Sequence, residues 1–479
     1  MAPSRNASGL QSKNGPGAEV ALPRRLSLNA LGIGLVLAGC GDRAGPARDP
    51  AAWLGAWESD GYGYVFQAGE DTLRVFEATE LSCLPGFVAA RVPAEGDALA
   101  GYRLVDAPYT LMLVPGEMPE RMRVRIDGTA SDIVLRKIDV APSRCREPAV
   151  DTPQSSFDVF AATWAEHYPF FELKRADWQA IVAANRPRIT DSTAPAELFA
   201  VLQGMIEPFE DAHTYLSAPA DSLRFGGQRL GPNRLARTEY AAARALVDRH
   251  LQSGLRAWCN GQVEFGMLRP DVGYLRIRSF SQYVADGGFV EGLAALHAAL
   301  DTIFTGSDRW RGLVIDVRIN GGGADPYGLA IASRLATAEY EAYAKQAWRG
   351  PGAGWTPPQP SLVRPSERPG FRGPVVELTG ILSVSAAETF TQALLGRRPA
   401  VVRVGEPTQG VFSDVLSRRL PNGWRFGLPN ERFVTDGRSY DGPGIAPDSL
   451  VPVFAPADLA AGRDRALETA MAILDAGGR

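Results

Sequence analysis

Histidine is scarce in this chain, at four among 479 residues, and cysteine is equally rare. Neither clusters at metal-ligand spacing, so no metal is expected, and no dinucleotide or P-loop glycine pattern suggests a cofactor. A run of about twenty apolar residues is missing, which argues against a membrane-spanning helix. Basic clusters are missing too, and a formal net charge of −4 argues against nucleic acid as a partner. There are no internal repeats or low-complexity tracts. What remains is a 45% hydrophobic, 22% charged composition, ordinary for folded soluble domains. The length exceeds what one core can serve, so two or three domains are expected.

An export signal stands near the start. Arg24-Arg25 precedes the apolar stretch from Leu26 to Gly39, giving the charged start and apolar middle of a signal peptide. The stretch ends in Leu37-Ala-Gly-Cys40, which resembles the bacterial lipobox, whose cysteine becomes the lipidated N-terminus. Residues 1–39 are therefore read as signal peptide and 40–50 as a lipid-anchored linker. The expected location is the bacterial cell envelope, membrane-bound through Cys40. Gly41, rather than aspartate, after the cysteine implies the outer membrane, periplasmic face, in a Gram-negative host.

Residues 51–148 alternate apolar and polar positions between Gly and Asp turns, as in Thr72-Leu-Arg-Val-Phe-Glu77, and predict a small antiparallel β domain, a sandwich or a barrel. Exported proteins permit disulfides, but Cys83, Cys145 and Cys259 allow three pairings. Residues 154–220 carry helical periodicity and are read as a small bundle. Residues 221–460 form the candidate core and 461–479 a C-terminal helix. The Pro- and Gly-rich stretch 350–374 is expected to border a cleft.

Three segments carry chemistry. In Ser383-Val-Ser385-Ala-Ala-Glu388 a serine sits between an apolar run, Val375 to Thr379, and a helix-like stretch, Thr389 to Leu395. A hydroxyl at a helix N-terminus meets unpaired N–H groups and a dipole that favours developing negative charge. That suits a nucleophile beside half an oxyanion hole. The plain alternative is a helix cap, with Glu388 completing a capping box. Upstream, Leu313 to Val317 reads as a buried strand, and Asn320-Gly-Gly-Gly323 as a sharp turn with outward N–H groups. The third segment is Asp211-Ala-His213-Thr214. His250 and His297 fall in helical runs and His167 at a helix end, which leaves His213 in a polar turn as the candidate base.

Together these segments resemble the serine peptidase family of C-terminal processing proteases, the tricorn core and interphotoreceptor retinoid-binding protein. The similar pieces run in family order. They begin at Phe157-Asp-Val-Phe160, Tyr168-Pro-Phe-Phe171, Asp177-Trp178 and Asp211-Ala-His-Thr214, and continue through Gly273-Tyr-Leu-Arg-Ile277 and Asp316 to Gly323. Ser383 to Glu388, Val404-Gly-Glu-Pro-Thr408 and Asp441 to Asp448 complete the set. Members with a serine–lysine dyad carry a lysine where Val411 stands, so the likeness is to the serine–histidine branch. About sixty residues separate His213 from Gly273, too few for a PDZ domain of ordinary size.

The resemblance implies a crotonase/ClpP-like α/β core of ββα units, with the helical bundle and the β domain attached. It also implies a serine-type peptidase acting on peptide or protein substrates without a cofactor. Ser385 would be the nucleophile and His213 the base. The amide of Ala386 and a glycine amide, Gly322 first and Gly321 next, would hold the oxyanion. Asp441 stands near the place of the third acid, with Glu406 and Glu388 as alternatives. The alternative function is a non-hydrolytic ligand- or peptide-binding protein on the same scaffold.

Overall fold

Alternating short segments at the N-terminus cannot bury both faces of a flat sheet, and here they close on themselves. In the computed structural model, which describes residues 51–147, 149–231 and 235–477, eight antiparallel strands form a closed barrel. They are Gly55–Ser59, Tyr64–Ala68, Thr72–Ala78, Cys83–Val92, Ala100–Leu104, Thr110–Pro115, Arg121–Ile126 and Ile133–Ile138, with the first paired to the last. Inward positions at period two, among them Trp57, Phe66, Val75, Tyr102, Leu113, Val124 and Leu135, fill the interior. Of the three possible pairings, the structure forms Cys83–Cys145, tying a barrel strand to the turn Ser143–Arg146, and leaves Cys259 free and buried. The signal stretch and Cys40 lie outside the described residues.

The helices Pro153–His167, Trp178–Asn185 and Pro195–Ile206 follow. Thr152 and Asp177 cap the first two through their side chains, as short polar residues do at N-caps. An aromatic cluster of Phe157, Phe160, Trp164, Tyr168, Trp178 and Phe209 packs these helices onto a four-stranded sheet. That sheet joins Leu223–Gly226 and Tyr215–Ala218 to Arg425–Pro429 and Val415–Arg419, so chain from both sides of position 221 builds it with strands from near the C-terminus.

The core is a seven-stranded sheet in which Val272–Ile277, Gly312–Asp316, Val375–Thr379, Val402–Gly405 and Ser449–Leu450 run parallel. The first three are buried along their whole length, which explains why they read as nearly continuous apolar runs. A strand, short strand and helix recur twice. Gly312–Asp316 leads through Ile319–Asn320 to Asp325–Leu335, and Val375–Thr379 through Leu382–Ser383 to Ala386–Ala393. This is the expected ββα repeat. The two short strands pair in parallel, Ile319 with Leu382 and Asn320 with Ser383, which sets the glycine turn beside the serine turn. The stretch 350–374 lies against the helical layer, where Trp355 packs on Phe170.

Candidate functional site

The join at Ser385 is conformationally unusual. Its φ of 58° and ψ of −120° lie outside the regions open to most L-residues, and the helix starts at the next residue. A serine on such a strand-to-helix turn presents its hydroxyl clear of the backbone, as in the nucleophile elbows of other hydrolases. Glu388 accepts the Ser385 N–H at 3.1 Å, one half of a capping box, while the Ser385 hydroxyl makes no cap bond. Ser383 is engaged instead: its hydroxyl donates to the Val317 carbonyl at 2.8 Å and accepts the Gly380 N–H at 3.1 Å. Of the two serines, only Ser385 keeps its hydroxyl uncommitted among the described residues.

The glycine turn presses on this serine. Gly322 has φ +88°, and a Cβ there would lie 2.7 Å from Ser385 Cβ and 3.0 Å from the Ala386 nitrogen. Asn320 shapes the turn. Its side chain donates to the Ile277 carbonyl at 3.0 Å and accepts the Gly322 N–H at 2.9 Å. The Gly322 amide is therefore engaged, whereas a Cβ at Gly321 would meet nothing within 4 Å. The amide of Ala386 sits at the first helical position, where no intrahelical acceptor exists.

Behind the turn, Arg318 is fully buried. It reaches Asp316 at 2.6 Å and Asp464, the cap of the C-terminal helix Arg465–Asp475, at 2.7 Å. Tyr274 adds a 2.7 Å bond to Asp316. The Asp-Val-Arg stretch thus anchors the strand that carries the turn.

His213 is held by its own turn. Asp211 Oδ1 accepts the His213 N–H at 2.9 Å, an Asx-type bond, and Asp211 Oδ2 accepts the Tyr168 hydroxyl at 3.3 Å. Burial lowers the imidazole pKa below its usual 6.5, partly opposed by Asp211 and Asp414. Its Nδ1 is buried with no hydrogen-bond partner, and no hydrogen bond joins His213 to Ser385 among the described residues. The loop Gly410–Val411 touches the neighbourhood of each. Both its amides donate to Glu388, the residue that also holds the Ser385 N–H, and it shares a small cavity with Asp211 and Asp441.

The expected third acid is occupied elsewhere. Asp441 accepts the Ser439 hydroxyl at 2.6 Å and the Phe412 N–H at 3.4 Å, and burial pushes its pKa up to about 7. Asp441 is not hydrogen-bonded to His213. Glu388 is wholly buried, and burial raises it to about 8 against the lowering effect of its N–H partners. Glu406 accepts the Val453 N–H at 3.3 Å. The other histidines fall away from this centre. His250 is exposed, His297 lies beside Arg334, and His167 is buried at the barrel, where its Nε2 would lie 2.5 Å from a Cβ on Gly63.

Sequence reasoning missed one group. Lys345 is buried between Asp414 at 2.5 Å and Glu431 at 3.1 Å, and Glu431 also accepts the Tyr62 hydroxyl of the barrel at 2.7 Å. Tyr62 and Glu431 are 369 positions apart, and no local signal marks them.

A serine on a strained strand-to-helix turn beside a glycine turn is an arrangement suited to a serine-type peptidase. Comparison with known proteins agrees. The model of peptidase family S41 matches residues 271–451. A crystal structure of a putative peptidase from Parabacteroides merdae is 27% identical with a TM-score of 0.58. The match covers 68% of this chain and 97% of that one, so about a third of this chain lies beyond it. A CPAF mutant shares the fold at 11% identity and TM-score 0.50, over 68% of this chain and 98% of that one. No curated protein sequence matches. Residues 271–451 thus carry a core of the S41 peptidase type.

Proposed function

We propose that this chain is an exported endopeptidase, anchored by a lipid on Cys40 and acting through an acyl-enzyme on Ser385. The observation that carries the reading is the free Ser385 hydroxyl on a strained turn, with Gly322 against it and the Ser383 hydroxyl tied up. In this scheme Ser385 Oγ attacks a peptide carbonyl while His213 takes its proton, then passes it to the leaving amine. The amides of Ala386 and Gly321 hold the oxyanion, since Gly322 gives its N–H to Asn320. Water then hydrolyses the acyl-enzyme by the same route.

The unpartnered Nδ1 of His213 and the engaged carboxylate of Asp441 favour a dyad. Asp441 then serves to hold the loop at Phe412. No helix among the described residues is long and apolar enough to cross a membrane, so membrane attachment in this reading rests on Cys40. The periplasmic face of the outer membrane is the proposed location.

The test is labelling by a fluorophosphonate. Ser385→Ala should abolish labelling in a folded protein, and His213→Ala should slow it by several orders of magnitude. Labelling that survives Ser385→Ala would refute the nucleophile assignment.

A further inference from the structure

The barrel is open toward the core at one end. Tyr64, Phe87, Leu104, Leu111, Ile126 and Ile133 all follow its inward register. Phe87 pairs with Val75, Leu104 with Ala89, Leu111 with Tyr102 and Ile133 with Val124, each partner part of the barrel core. Five of the six stay only half-buried although they face inward, so they form a mouth rather than a plug. They line one wall of a chamber of about 760 Å³, and the core supplies the opposite wall from Phe280, Tyr283, Phe289 and Gly323. Gly323 is the next residue after Gly322, whose Cβ position lies 2.7 Å from Ser385. The chamber therefore reaches from the barrel mouth to Gly323 at the end of the glycine turn, with Ser385 on the far side of Gly322 and not itself part of the lining.

Its two halves are fixed to each other. Arg349 of the core holds Asp60 through two bonds of 2.7 Å, Gln359 brackets Asp132, and Tyr62 bonds Glu431. The cup is thus held in place relative to the serine.

We infer that the barrel mouth is the specificity cup of this peptidase, taking a bulky apolar side chain of an extended peptide whose scissile bond lies over Ser385. The inference rests on the peptidase reading above and adds the substrate class. The volume fits ligand sites generally, and barrel mouths are a recurrent place for them. Charge decides between apolar occupants. The ionisable lining, tyrosines aside, consists of Asp127, Asp414, Glu431 and Lys345, and the lysine is already paired to two of the acids. A fatty acid would bring a carboxylate to a lining with no free cation among the described residues. The side chain of an internal peptide residue brings none.

The experiment has two readouts on one protein. The full chain is incubated with a denatured peptide mixture and its cut sites are read by mass spectrometry, while fluorophosphonate labelling reports Ser385 independently. A bulky apolar residue should be enriched at one fixed position beside the cut. Tyr109 is exposed at the chamber rim. Tyr109→Cys, labelled after folding with pyrene maleimide, should cut kcat/KM on the best apolar peptide by about tenfold or more. Fluorophosphonate labelling should stay within about twofold of the unmodified protein. Ile126→Asn should give the same split without a label.

Cleavage with no enriched position, or enrichment that survives the filled chamber, overturns the inference while leaving the peptidase intact. Absence of fluorophosphonate labelling overturns the peptidase reading and this inference with it. A fluorescent fatty acid bound by Ser385→Ala and displaced by filling, without peptide preference, would make the mouth an acyl site and overturn the assignment.

Discussion

Gly322→Ala is the sharpest available test of the turn geometry. The substitution adds one methyl where φ is +88°, a conformation that costs an L-residue about 1 kcal/mol. The methyl would also lie 2.7 Å from both Ser385 Cβ and the Val384 carbonyl oxygen, two atoms fixed in a turn that cannot relax cheaply. Overlap of that kind adds about 1–3 kcal/mol, for a total of roughly 2–4 kcal/mol. Unfolding entropy of about 2 cal/mol/K per residue, summed over more than four hundred residues, turns that into a Tm loss of only about 2–5 °C. Catalysis should suffer far more, because displacing a nucleophile by about 1 Å costs on the order of a hundredfold.

Gly321→Ala is the internal control. No atom lies within 4 Å of its Cβ position and its φ is not left-handed, so stability should move by no more than about 0.5 kcal/mol. The backbone amide proposed for the oxyanion survives this change, so labelling should persist. The assay is the second-order rate of fluorophosphonate labelling beside a thermal melt. Equal rates for the two variants, or a Gly322→Ala rate within a few-fold of wild type, would refute the argument that this turn sets the serine.

Four further outcomes follow from the same structure. Because burial lowers His213 below 6.5 and its neutral form is the proposed base, the rising limb of activity should have its midpoint below pH 6.5; a limb rising only above about pH 9 would point to a lysine. Glu377 is wholly buried and pushed up to about 7 from its usual 4.5, so it binds a proton in the fold that the unfolded chain has released. Stability should therefore fall as pH rises from about 4.5 through 7, and Glu377→Gln should remove roughly 3 kcal/mol of that fall in denaturant titrations at pH 5 and 8. Arg318→Met leaves Asp316 and Asp464 buried without their cation and should cost about 3–5 kcal/mol by urea unfolding. Cys40→Ser should release the exported protein from the membrane fraction, and mass spectrometry showing an unmodified mature N-terminus elsewhere would remove the anchor.

What the sequence revealed follows from how local each signal is. The strand, glycine turn and helix at Leu313 to Leu335 could be read because apolar runs, three glycines and helical periodicity are all short-range patterns. The barrel strand Cys83–Val92 escaped notice because it contains Pro85-Gly86, a pair that ordinarily breaks strands. Here the pair sits at a register shift in the ladder with Thr72–Ala78, where a bulge tolerates both residues. The choice between sandwich and closed barrel stayed open for a different reason, since pairing of Gly55–Ser59 with Ile133–Ile138 is long-range. The same limit hid the engagement of Asp441, which depends on loops brought together only by folding. Asn320 was noticed as a turn residue, but its capture of the Gly322 N–H needed coordinates.

The fate of the lysines bears on the choice of base. By the sequence resemblance Val411 stands at the lysine place of serine–lysine members, and in the structure it contributes a backbone N–H donated to Glu388 at 2.9 Å. Among the described residues Lys345 is the one lysine on the chamber wall and the obvious substitute. Burial alone would lower its pKa and make it a candidate. Asp414 and Glu431 outweigh that burial and hold the ammonium well above its usual range. An amine that keeps its proton cannot accept one from serine. His213 faces the opposite balance, since desolvation outweighs Asp211 and Asp414 and favours the neutral ring. The same acid, Asp414, is thus too weak a field to charge the histidine yet strong enough, with Glu431, to lock the lysine. That asymmetry supports an imidazole base, and it leaves Lys345 to neutralise two acids where the barrel meets the core.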